Sequence, residues 1–144
     1  MNRHQAIKLV IQGIQNDTRH YQLLYRLMVK QQASYIDFNG EALGALTEQQ
    51  QPLIDQLHKS AQQRSLLMQQ LGLSNSKQGI TTLFNVLPGQ LKQQMNECWY
   101  TLEARVRSCQ QLNQLNGHIS ASYSEVLQQL QQEESYGAGQ LMQS

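Results

Sequence analysis

The chain has 144 residues and a formal net charge of +1, and it is 40% hydrophobic but only 15% charged, with 27 glutamines standing where charge is usual. That length fits one domain, and so few scattered cations exclude a non-specific nucleic-acid grip, which needs several lysines or arginines on one face. No run of apolar residues is long enough for a helix that inserts in a membrane.

The first predicted element is a helix from about Asn2 to Tyr35. Ile7, Ile11, Ile14, Thr18, Tyr21, Tyr25, Met28, Gln32 and Tyr35 recur at steps of three and four, which keeps them on one face. Gly13 costs about 1 kcal/mol relative to alanine without ending the pattern. Asp37-Phe38-Asn39-Gly40 is a turn signal, with Asn39 placed to cap the next helix.

A second helix is expected over about Gly40 to Leu71, with Leu43, Leu46, Leu53, Leu57, Leu67 and Leu71 on its face. Pro52 removes a backbone donor and crowds the carbonyl of Glu48, which predicts a kink or a restart there. Gly72 suits a left-handed cap. Ser74 to Gly79 reads as a polar connector, Ile80 to Leu87 as a possible short helix, and Pro88-Gly89 as a break.

The third long helix is expected from about Gly89 to Glu134. Its seam reads Leu91, Met95, Cys98, Leu102, Arg105, Cys109, Leu112, Asn116, Ile119, Tyr123, Val126 and Leu130, with Leu127 beside it. This heptad step keeps one stripe facing a partner over roughly 60 Å. Glutamines interleaved with leucines solvate the outer faces and favour helix. After Glu134, the glycines of Tyr136-Gly137-Ala138-Gly139 predict a tail that leaves the helix.

The pattern therefore predicts an all-α protein: an elongated antiparallel helical hairpin plus a long third helix, a three-helix bundle or coiled coil. Residues 1–134 would form a single helical-bundle domain, and 135–144 a flexible C-terminal tail. The third helix is long enough to overhang the hairpin. An apolar stripe that outruns its internal partners must be exposed, self-associated or filled by another protein.

Little in the chain supports catalysis. Asp55 and His58 share a helical face at the spacing of two metal ligands, but no second pair of the di-iron bundle type exists. There is no glycine-framed nucleophile turn, phosphate-cradling glycine loop or Cys-x-x-Cys pair. The expectation is a protein that is not an enzyme and needs no metal or cofactor. Cys98 and Cys109 lie about 16 Å apart along one helix, too far for a disulfide, and read as free thiols on the apolar seam. With no signal-peptide apolar region near Met1, a reducing, cytoplasmic setting is expected.

Asn116 has two readings. It could pair across the bundle and fix register, or form a polar notch with Asn113 and Gly117 where a partner backbone approaches. Tyr21, Tyr25, Tyr35 and Trp99 lie on apolar faces and read as core. Tyr136, beyond the seam, has the build of a docking anchor: one aromatic in a mobile segment.

Leu112-Asn113-Gln114-Leu115-Asn116-Gly117, following a tryptophan-bearing amphipathic helix, resembles the FlgN family of flagellar export chaperones. Ala42 to Glu48 opening the second helix, Gln63-Arg64 late in it, and the tail Tyr136-Gly137-Ala138-Gly139-Gln140 extend the resemblance over essentially the whole chain. The resemblance implies a cytoplasmic chaperone, monomeric or weakly dimeric. It would mask the terminal amphipathic helices of the hook-associated proteins FlgK and FlgL and deliver them to the export-gate component FlhA. It places the client contact on Leu112, Asn113, Asn116, Gly117, Ile119, Tyr123, Val126, Leu127 and Leu130. Tyr136, with Gly137 and Ala138, would dock on the gate. The competing reading of the same seam is a self-associating structural coiled-coil protein.

Overall fold

A computed structural model describes the backbone of residues 1–143 and the side chains of residues 1–130 and Gln132. The described residues form four helices and no strand: α1 (Arg3–Ile36), α2 (Gly40–Gln70), α3 (Lys77–Asn85) and α4 (Gly89–Gln143).

Local chemistry sets the helix ends. Asn2 and Gln5 form a capping box at the start of α1: Asn2 Oδ1 accepts from the Gln5 amide at 2.8 Å, and Gln5 Oε1 accepts from the Asn2 amide at 3.2 Å. Asn39 caps α2 by accepting from the Ala42 amide at 3.1 Å. Phe38, just before it, turns the chain with φ at 52°. The far end of α2 closes as a Schellman motif: Leu73 N–H donates to the Met68 carbonyl at 2.9 Å, Gly72 N–H donates to Gln69 at 3.0 Å, and Gly72 takes φ +72°.

α2 continues as helix through Pro52, so there is no separate restart there, and both Pro52 and Glu48, whose carbonyl loses its donor, are exposed residues. Two boundaries differ from the sequence expectation, at the start of α3 and at the end of α4. α3 begins at Lys77, three positions before Ile80, because Ser76 serves as its N-cap and accepts from the Gly79 amide. Gly79 is needed there, since a Cβ would stand 1.8 Å from the Ser74 carbonyl oxygen. The backbone of α4 continues past Glu134 to Gln143, where a non-helical tail was expected. Gly137 and Gly139 each cost a helix only about 1 kcal/mol, and no proline follows to stop it.

α1 packs closely against both α2 and α4, whose backbones stay farther from each other while their side chains share the core. The Asp17–Arg64 and Gln31–Gln50 contacts show α1 and α2 to be antiparallel. α4 runs parallel to α1: Thr18 meets Cys98, Tyr21 meets Cys109, Met28 meets Asn116, and Tyr35 meets Tyr123. α3 plugs the end where α1 and α4 begin. There Ile80, Leu83 and Phe84 are buried with Ala6, Val10, Ile14, Met68 and Met95. Each such burial contributes about 2 kcal/mol. A second, smaller cluster of Leu24, Met28, Leu57, Cys109 and Leu112 continues the core along the helices.

Candidate partner-binding surface

The α1–α4 pairing decides where the seam of α4 is occupied and where it is free. Its polar members all turn toward α1. Arg105 donates to the Thr18 carbonyl at 2.6 Å, Cys109 donates to the Tyr21 carbonyl at 3.5 Å, and Asn116 Nδ2 donates to the Met28 carbonyl at 2.9 Å. Burial pushes the Cys109 thiol up to about 11, so it stays neutral at ordinary pH. Burial, together with the nearby Asp17 carboxylate, also raises the Tyr21 phenol above its usual value.

Asn116, 4% exposed, therefore takes the first of its two sequence readings and pairs across the bundle. Gly117 is exposed, and a Cβ added to it would meet nothing within 4 Å, so no close approach among the described residues accounts for that glycine. Leu112 is buried in the second core cluster. Asn113 is exposed and lines a groove of about 310 Å³ with Tyr21, Leu24, Ile54, Leu57 and Val106.

Tyr123 packs α4 against the end of α1 and the turn that follows it. Its ring stacks on Phe38 at 5.1 Å between centroids and meets Tyr35 edge-on at 5.7 Å. Its hydroxyl lies over Gly40, 3.6 Å from where a Cβ would stand. This aromatic cap closes the bundle at the α1–α2 turn, and Ile119 one turn earlier is half-buried. Beyond it α4 outruns its neighbours by about 30 Å. On this overhang Val126, Leu127 and Leu130 are 37%, 37% and 50% exposed, while Ile36 and Phe38 at the turn leave further apolar surface beside its root.

The nine residues assigned from sequence to a client contact thus divide. Leu112 and Asn116 lie inside the bundle, Ile119 and Tyr123 at its rim, Asn113 and Gly117 on its surface, and Val126, Leu127 and Leu130 on the free helix. Tyr136, Gly137 and Ala138 fall within the helical backbone of α4, and their side chains lie outside the described residues.

Sequence reasoning missed the role of Phe38, whose place in a turn carries no periodicity. It missed the Asp17–Arg64 ion pair as well, at 2.6 Å and with Asp17 2% exposed, which ties α2 to α1. Tyr25, expected in the core, is exposed on α1. Asp55 accepts from Gln51 at 2.9 Å on the surface of α2.

No helix among the described residues is long and apolar enough to cross a membrane. No curated protein and no solved structure matches the chain. The sequence pattern of the FlgN protein family matches residues 1–138, nearly the full length. The chain belongs to the FlgN family, the flagellar export chaperones.

Proposed function

We propose that this chain captures the terminal amphipathic helices of the hook-associated proteins FlgK and FlgL along the α4 overhang, holds them in the cytoplasm, and hands them to FlhA. The observation that carries this reading is the exposure of Val126, Leu127 and Leu130 on the part of α4 beyond Tyr123. An apolar stripe of this kind pairs with a client stripe as an amphipathic helix pairs with a groove. The half-buried Ile119 and Tyr123 would form the inner edge of the contact. Leu112 and Asn116 would act indirectly, by holding α4 in register on α1.

The affinity follows from two opposing terms. A contact of about 1,000–2,000 Å² is typical of specific complexes, and ordering a disordered client segment costs several kcal/mol. The net is modest, which suits a carrier belonging to a chaperone family rather than an enzyme family and releasing its cargo by exchange. In this reading Tyr136, Gly137 and Ala138 supply the contact with FlhA, separate from the client surface.

The test is the double substitution Val126→Asp with Leu130→Asp. It is expected to abolish client binding while far-UV helicity is largely kept, because neither residue belongs to the buried core. Unchanged client binding would remove the overhang from the function. The same exposed stripe suits a second reading, self-association, in which light scattering would give a concentration-independent oligomer with or without client.

A further inference from the structure

The two ends of the molecule carry opposite charge. Residues 1–16 and 56–96 contain no Asp or Glu, yet hold Arg3, Lys8, Lys59, Arg64, Lys77 and Lys92. Residues 108–144 contain no Lys or Arg and hold Glu125, Glu133 and Glu134. Because α4 runs parallel to α1, Arg3, Lys8, Lys77 and Lys92 lie toward the end where both helices begin, while the antiparallel α2 carries Lys59 farther along the bundle, and the anionic segment leads out along the overhang. Arg64 is neutralised by Asp17; the other cations of the basic end have no ion-pair partner among the described residues.

At this basic end a groove of about 490 Å³ opens between the first turns of α1 and the α3–α4 connection. Ile7, Ile11, Val86 and Leu91 give it an apolar wall, and His4 and Lys8 also line it. α3 ends beside it at Val86 and α4 begins beside it at Gly89, so the two helix dipoles oppose one another and the charge of the groove is set by its side chains, His4 and Lys8.

We propose that this groove docks an acidic peptide segment of a partner protein, one that sets leucine-like side chains into the trough and carboxylates against Lys8 and the neighbouring cations. The chemistry selects this occupant. The wall takes aliphatic side chains, and every ionisable group lining the groove is basic. Ile7, Ile11 and Leu91 are half-buried and form a trough, and Val86 beside them is 62% exposed. Complementary charge also steers encounter and rejects cationic segments. The site lies at the opposite end from the overhang, so both could be filled at once.

The experiment is fluorescence anisotropy of the full chain with a short fluorescein-labelled peptide of glutamate and leucine, its lysine–leucine counterpart, and phosphatidylglycerol vesicles. Amide chemical shifts locate the contact. The acidic peptide is expected to bind saturably, with shifts at Ile7, Ile11, Val86 and Leu91. Lys8→Glu should weaken it by about tenfold or more, as should raised salt. Lys8 is exposed, so the variant should keep its helicity, checked by circular dichroism, and its affinity for client at the overhang. Several results would overturn the proposal: equal binding of the two peptides, no effect of Lys8→Glu, shifts confined to the overhang, or preference for vesicles. Salt-sensitive self-association lost in Lys8→Glu would do so too, by assigning the groove to a second copy's acidic overhang.

Discussion

Asn116 on α4 donates its side-chain amide to the Met28 carbonyl of α1 at 2.9 Å, a buried bond between parallel helices that fixes how far α4 must project. A slip of one heptad would draw Tyr123 out of the aromatic cap and carry Leu130 or Asn116 into its place. The register of the bundle and the length of the free stripe are one property.

Substitution at this position separates charge from shape. Asn116→Asp replaces the donor with a buried carboxylate facing the Met28 carbonyl and Gln31 Oε1. It is expected to cost about 2–4 kcal/mol in urea unfolding. Asn116→Leu should be close to neutral, because it removes both the bond and the unpartnered Oδ1. Equal tolerance of both variants would mean that the residue is not buried in solution.

The Asp17–Arg64 pair holds α2 to α1 in a setting where either charge alone is unwelcome. Arg64→Met leaves the Asp17 carboxylate buried without its cation and should destabilise the fold by about 3–5 kcal/mol. Adding Asp17→Leu to that variant should recover most of the loss. A double mutant as unstable as the single one would refute the ion-pair account.

Cys109 gives a pH dependence with a definite sign. Its folded value of about 11 lies above the ordinary 9.0, so the folded state keeps its proton where the unfolded chain has released it. Its contribution to stability is complete below pH 9 and is lost as pH rises through about 11. Thermal melts across that range should show Cys109→Ala falling less steeply than the parent. Alkylation at neutral pH should reach the less buried Cys98 first.

Tyr136→Ala is expected to leave client affinity intact and to weaken recruitment to the export gate, measured by pull-down with the soluble part of FlhA. Loss of client affinity instead would merge the two sites that the proposed function keeps apart.

Much of this architecture was legible in the chain because helical period is a strong signal. The bounds of α1 and α2 fall within a residue of those read from Ile7 to Tyr35 and from Leu43 to Leu71. The overhang followed from length alone. Local glycine and serine chemistry misled at the start of α3 and the end of α4: Ser76, read as part of a polar connector, caps a helix, and Gly137 does not interrupt α4. Long-range pairing was not legible. Nothing near Asp17 points to Arg64, and nothing near Phe38 points to Tyr123, since both pairs depend on how α1 sits between its neighbours. The heptad seam likewise does not reveal which of its residues α1 covers. Leu112 and Leu130 look alike in sequence, and only the crossing at Tyr123 divides buried from free.

The most direct test of the account is calorimetric titration of this chain with the C-terminal helical segments of the hook-associated proteins from the same organism. Saturable binding at one site, with a negative heat-capacity change that disappears in Val126→Asp with Leu130→Asp, is the predicted result. A stable self-oligomer that binds neither segment would contradict it, since the free stripe of α4 would then already be occupied by another copy.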